Sequence, residues 1–194
     1  VHTWLFTADL YGRLAAFLAR TPHVISAMRN TIDDMPPHYR WVNRALSFIT
    51  DSITINAEAI RSGLVHGLGI PSRKIRTIYN GIDLSSLPPV HPNGHYRQEW
   101  DIPKNAGVIL MIARMVPQKD HRTFLEAARR VAEKRQDVYF LFVGDGPLRG
   151  QVESWIEEMG LRKRTRLLGA RRDVWELIHQ ADVVALATHF EGCS

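Results

Sequence analysis

Two uninterrupted apolar runs, "GVILMIA" at 107–113 and "DVYFLFVG" at 137–144, stand one helix length apart. A strand with one wet face alternates polar and apolar residues, whereas a strand apolar at every position is covered on both faces. That is the condition of a parallel sheet wrapped by helices. The intervening sequence supplies the wrapping: Asp120 can cap a helix with Phe124, Ala128, Val131 and Ala132 on its inner side. After the second run, Pro147 opens a helix carrying Leu148, Val152, Ile156 and Met159, and Gly160 ends it. "RLLG", a short helix capped by Asp173, and "ADVVALA" extend the alternation.

The first part of the chain repeats this texture. "ADLYGRLAAFLAR" places Leu10, Leu14, Phe17 and Leu18 on one helical face, bounded by Pro22, and "HVISAM" follows as a strand. "YRWVNRALSFI" is helical, with Val42, Leu46 and Ile49 on one side. "DSITIN" is a strand, and Asn56 can cap the helix "AEAIRSGLVHGLG". "KIRTIYNGID" closes this part as strand and turn. The stretch from Leu84 that follows holds four of the ten prolines and no sustained period, so it reads as a linker. The organisation expected is an α/β piece at 1–83, a linker at 84–104 and a second α/β piece at 105–194. Val1 stands inside a strand, and no helix follows the last glycine, so the chain reads as an internal piece of a longer protein.

A net charge of +5 and a pI near 9.7 favour anionic partners: nucleotide phosphates, acidic lipid or nucleic acid. No apolar run approaches the ~18 residues of a spanning helix, and no signal-peptide pattern opens the chain. The single cysteine, Cys193, excludes an internal disulfide and suits a reducing compartment. A cytoplasmic location is expected, with peripheral contact to acidic lipid at the inner membrane face. "GDGPLRG" has its third glycine one place late for a dinucleotide fingerprint and follows the second strand of its piece, so it reads as a strand-to-helix turn. No Walker loop is present. His91 and His95 have zinc-pair spacing but lie among prolines and glycines without partner thiols, as in a solvated loop. With no Asp-x-Asp pair either, no metal or other cofactor is expected, and a bound phosphate must be neutralised by protein cations.

"ARMVPQKD" supplies them. It follows the first strand of the second piece, at the strand's carboxyl end, where open α/β sheets bind ligands. Arg114 can fork two donors onto phosphate oxygens, and Lys119 is a compact point charge. By themselves they read as two solvated cations on a loop. Glu191, ending a later strand on the same sheet edge, adds a carboxylate for hydroxyls. Two cations and one acid fit a nucleotide that carries a sugar.

These residues carry a resemblance. "IARMVPQKDHRTFLEAARRV", "FLFVGDGPLRGQVESWIEEMGL", "LLGARRDVWELIHQADVVALATHFEG" and "IYNGID" resemble the retaining glycosyltransferases of family four. The opening "VHTWLFTADLYGRLAAFLARTPHVISAMRN" is similar to the end of that family's N-terminal domain. The resemblance implies the GT-B fold, two Rossmann-like domains, both incomplete in this chain, with a nucleotide-sugar donor held mainly by the C-terminal one. It implies that Arg114 and Lys119 grip the donor diphosphate and that Glu191 is the first acid of a Glu, seven residues, Glu motif contacting the donor sugar. The second acid then lies beyond Ser194, and the amides of Gly192, Cys193 and Ser194 open a helix whose N-terminus favours phosphate. Gly169 and Arg171 match the turn bordering the nucleobase.

Two positions depart from the family pattern. Arg29 stands where many members carry a histidine near the transferred sugar, and "HTW" replaces a His-x-His, with Trp4 in the second place. His2 and Arg29 are therefore candidates on the acceptor side, Arg29 toward an anionic acceptor; His2 reads equally as a structural strand-end residue. The activity implied is metal-independent transfer of a hexose-type sugar, with retention, to the hydroxyl of a sugar, lipid-linked or other acceptor in polysaccharide or glycolipid synthesis. Rival readings are an epimerase or phosphorylase on the same fold, and a basic binding module built on "RKRTRLLGARR". Six of those eleven residues are basic, but no aromatic platform interleaves them, so nucleic acid is not the expected partner.

Overall fold

The computed structural model describes residues 1–32, 35–87 and 95–191. Both apolar runs become neighbouring parallel strands. The chain divides into one unit spanning Val1–Ile82, to which Phe190 and Glu191 are also assigned, and another spanning Asp83–His189.

In the second unit, β5 (Gly107–Ile112) pairs in parallel with β6 (Val138–Val143), Gly107 opposite Val138. β7 (Thr165–Leu167) and the short β8 (Val183–Val184) flank them, giving the order β7-β6-β5-β8. Alternate residues face opposite ways. Met111, Phe140 and Phe142 pack with Phe124, Leu125 and Ala128 of α5 (His121–Lys134) and with Val152 and Ile156 of α6 (Arg149–Glu158). Val108, Leu110, Leu141 and Val143 pack on the opposite side with Leu177 of α7 (Val174–Gln180). Neither face of the two strands is wet, which is why their sequences show no alternation.

The stretch read as a linker is only partly one. Its later half forms α4 (His95–Glu99), and Tyr96, Trp100 and Ile102 enter the second unit's core. Prolines masked this, because the buried residues begin just after them.

The first unit has the order β1-β2-β3-β4, all parallel: β1 (His2–Trp4), β2 (Ile25–Met28), β3 (Ser52–Ile55) and β4 (Ile75–Thr77). Its core gathers Ile53, Ile55, Ile60, Leu64, Leu68, Ile70 and Ile75. Two expectations fail here. In α1 (Phe6–Leu18) the apolar face of Leu14, Phe17 and Leu18 is exposed, and the buried face carries Asp9, Arg13 and Ala16. Arg13 is 1% exposed and bonds Asp9 and, at 2.7 Å, Oδ1 of Asn43 in α2 (Pro37–Leu46). Thr3 Oγ1 donates to the other Asp9 oxygen at 2.5 Å. The pairing of these groups replaces the apolar contacts that periodicity leads one to expect. The helix after β3 is also not capped by Asn56. It begins at α3 (Ala59–Ser62) and continues as a π turn over Gly63–Gly67, leaving Asn56 Oδ1 buried without a partner.

Candidate active site

The carboxyl edge of the second sheet is built from three turns tied to one another. After β5, Ala113 and Met115 are buried while Arg114 between them is exposed, so the chain alternates inward and outward as it leaves the sheet. A single turn of 3-10 helix, Pro117–Lys119, then brings Lys119 out half-buried. Asp120 follows at φ 26° and caps α5 by accepting from the Thr123 amide at 3.2 Å, as the sequence indicated. The Thr123 side chain, foremost, and then its amide hold the Asp120 carboxyl below its ordinary range. The guanidinium of Arg114 makes no hydrogen bond or ion pair among the described residues.

"GDGPLRG" does more than turn the chain. The Met115 amide donates to Asp145 O at 3.0 Å, and the Leu148 amide donates to Met115 O at 3.0 Å. Gly144 adopts φ 133°, and a Cβ there would collide with the Ala113 carbonyl, while one on Gly146 would stand 2.5 Å from the Met115 oxygen. These two glycines let the turn lie directly against the Arg114 loop. Sequence reasoning missed their role; the signal available was a pair of glycines around Asp145 at a strand's carboxyl end.

The Gly144 amide donates to the carbonyl of Gly169 at 2.8 Å, which brings the third turn alongside. Gly169 has φ 69°. Two residues on, Arg171 is committed to the protein: Nε and Nη2 donate to the two Asp173 oxygens at 2.9 and 2.6 Å. Its guanidinium also lies 5.9 Å from the ring centroids of both Tyr96 and Trp100. Asp173 therefore does not cap α7 with its side chain, contrary to expectation; it accepts from Arg171 and from the Tyr96 hydroxyl at 3.0 Å. The Arg171 bond, first among several causes, holds Asp173 at about 2. The Tyr96 phenol is pushed up, mainly by its bond to Glu176, and stays protonated.

Arg114, Lys119, Gly169 and Arg171 thus lie on one edge of one sheet, in strand order. Glu191 follows just past the second unit, which ends at His189, whose amide donates to Gln118 O at 2.9 Å. Gly192, Cys193 and Ser194 lie outside the described residues, as does His91. In the basic stretch, Arg164 bonds Ala132 O, Arg166 bonds Trp100 O and Arg162 pairs with Glu157, so much of its charge serves internal contacts. Among the described residues, no group of three or more His, Cys, Asp or Glu is placed to hold a metal ion, and no helix is long and apolar enough to cross a membrane.

In the first unit, Arg29 sits at the carboxyl end of its sheet, whereas His2 opens β1 opposite Ile25. Arg29 follows β2, with its guanidinium carbon 5.3 Å from the Trp4 ring centroid. Its Nη2 donates to Asn80 Oδ1 at 2.7 Å. His2 tilts against the same Trp4 at 5.2 Å.

Comparison with known proteins places this architecture. The chain is similar to the crystal structure of Anabaena Alr3699/HepE in complex with UDP and glucose, with a TM-score of 0.80, 23% identity, 96% of this chain covered and 52% of that one. It is also similar to sucrose-phosphate synthase from Thermosynechococcus elongatus, with a TM-score of 0.78, 15% identity, all of this chain covered and 51% of that one. Two Rossmann-like parallel-sheet units in this arrangement of strands define a GT-B α/β protein. The chain belongs to the glycosyltransferases: residues 93–194 match the family described as glycosyl transferases group 1, and residues 1–86 match glycosyltransferase family 4. Among relatives, it is 28% identical to the Escherichia coli UDP-Gal:alpha-D-GlcNAc-diphosphoundecaprenol alpha-1,3-galactosyltransferase over 202 residues, covering 99% of this chain and 52% of that protein. It is 27% identical over 144 residues to a Campylobacter jejuni N-acetylgalactosamine-N,N'-diacetylbacillosaminyl-diphospho-undecaprenol 4-alpha-N-acetylgalactosaminyltransferase, covering 74% of this chain and 37% of that protein. The chain therefore spans about half the length, or less, of these relatives.

Proposed function

We propose that the whole protein moves a hexose-type sugar from a nucleoside-diphosphate sugar to an acceptor hydroxyl in glycolipid or polysaccharide synthesis, with retention and without metal. The observation that carries this reading is Arg114: an exposed guanidinium between two buried residues, on a loop fixed by the glycine turn of β6. Departure of the nucleoside diphosphate develops negative charge on its leaving oxygen. A cation already oriented toward that charge stabilises the transition state without reorganising, and removing one such group costs on the order of 3 kcal/mol, or ~100-fold in rate. Arg114 supplies a planar fork for two phosphate oxygens and Lys119 a second positive charge. Together they take the place that a divalent ion would otherwise fill. The relatives named for lipid-diphosphate substrates support a glycolipid acceptor. Retention rests on the resemblance to family four.

The test is transfer by the whole protein from a panel of UDP-sugars to a sugar linked by diphosphate to a short polyprenol, with EDTA present. The expected result is a product whose new linkage keeps the donor's anomeric configuration, formed at an undiminished rate. Loss of transfer in EDTA with recovery on adding magnesium or manganese contradicts the metal-independent mechanism. Inversion contradicts the stereochemistry.

A further inference from the structure

At the carboxyl ends of β1 to β4, a cavity of about 300 Å³ is lined by His2, Trp4, Arg29, Asn56, Tyr79 and Asn80, among others. Arg29 is held in it from two sides. Trp4 supports the guanidinium face, and Asn80 Oδ1 takes one Nη2 hydrogen. Nε and Nη1 have no partner among the described residues, so a planar fork of donors stands in place with its orientation already fixed. Among the described residues, no carboxylate lines this cavity to neutralise it.

Asn56 adds a second, independent feature. It is only 7% exposed, and its Oδ1 is sealed from solvent without a partner. Its carboxamide makes no side-chain hydrogen bond among the described residues. A buried carboxamide without partners is costly unless something else bonds it. Its Nδ2, which is not sealed and lines the cavity, is the atom left to donate to a sugar oxygen.

We propose that this cavity binds a phosphate-bearing sugar, Arg29 taking the phosphoryl oxygens and Asn56 a ring hydroxyl. Resting on the transferase reading, this assigns the acceptor as a sugar phosphate or diphosphate recognised by its anion as well as its ring. Arg29 sets that specificity, because a neutral side chain in its place would not favour the phosphorylated sugar over the free one.

Isothermal titration of the whole protein, with UDP saturating the donor unit, tests the site directly. The probes are N-acetylglucosamine 1-phosphate, N-acetylglucosamine and inorganic phosphate. The sugar phosphate is expected to bind at least roughly tenfold more tightly than either part, and Arg29→Gln to weaken it roughly tenfold to a hundredfold. Asn56→Ala should weaken the sugar phosphate while leaving inorganic phosphate unchanged. Because Arg29 is exposed, its variant should keep the wild-type melting temperature. Inorganic phosphate binding as tightly as the sugar phosphate, or an Arg29→Gln affinity within about twofold of wild type, overturns the site. Transfer assays on the same preparations separate the two readings. Sugar-phosphate binding through Arg29 without any transfer contradicts the transferase reading and leaves the site standing. Transfer with an acceptor KM unmoved by Arg29→Gln overturns the site alone.

Discussion

The amide of Met115 donates to the carbonyl of Asp145 at 3.0 Å, fastening the loop that carries Arg114 to the glycine turn after β6. The contact is possible only because Gly144 and Gly146 carry no side chain toward that loop. The position of the cation is thus set by residues that have no charge of their own.

Gly144→Ala is expected to strain a backbone at φ 133° and drive a Cβ into the Ala113 carbonyl, costing roughly 1–3 kcal/mol or more. Gly150→Ala, where an added Cβ meets open space inside α6, should be neutral or stabilising by up to ~1 kcal/mol. Thermal melts of the two variants compare them. Equal melting temperatures would show that the turn and the loop are not in the tight contact described.

The buried face of α1 makes a second prediction. Asp9→Ala leaves the Arg13 charge buried without its counter-ion, which is expected to destabilise by roughly 3–5 kcal/mol. Replacing both partners, Asp9→Leu with Arg13→Met, removes the uncompensated charge and should cost less than Asp9→Ala alone. Urea unfolding of the single and double variants measures the difference, and additive losses would contradict the pairing.

The Asp173 clamp predicts a pH dependence. Its folded-state value of about 2 lies below the ordinary carboxylate value near 4. A depressed carboxyl contributes stability that is present above the unfolded value and is lost as the pH falls through the folded one. The contribution is about 2 kcal/mol, fading between about pH 4 and pH 2. Asp173→Asn should be less stable than wild type at pH 5 and converge with it toward pH 2. A stability difference that stays constant over that range would mean the Arg171 and Tyr96 contacts do not perturb the carboxyl.

What was legible in the sequence follows from which forces act locally. β5 and β6 were readable because burial on both faces demands apolar residues at every position, and the Asp120 cap because its partner lies three residues away. Arg114 was readable as an edge residue because a strand's carboxyl end fixes where the chain leaves the sheet. The inner face of α1 was not, because Arg13 is buried by partners on other elements, Asn43 among them, that periodicity cannot see. Asp173 was misread for the same reason: a local capping rule lost to Arg171 and to Tyr96, a residue 77 positions earlier. The roles of Gly144 and Gly146 appear only once β5 lies beside β6, and the Trp4–Arg29 stack only once β1 lies beside β2.

The central claim is that Arg114 and Lys119 hold and neutralise the donor diphosphate. Steady-state kinetics of Arg114→Ala and Lys119→Ala in the whole protein test it most directly, with circular dichroism confirming that each variant is folded. Each substitution is expected to lower turnover ~100-fold or more, with little loss of stability, since neither side chain is part of a core. Turnover at the wild-type rate in both folded variants would contradict the assignment.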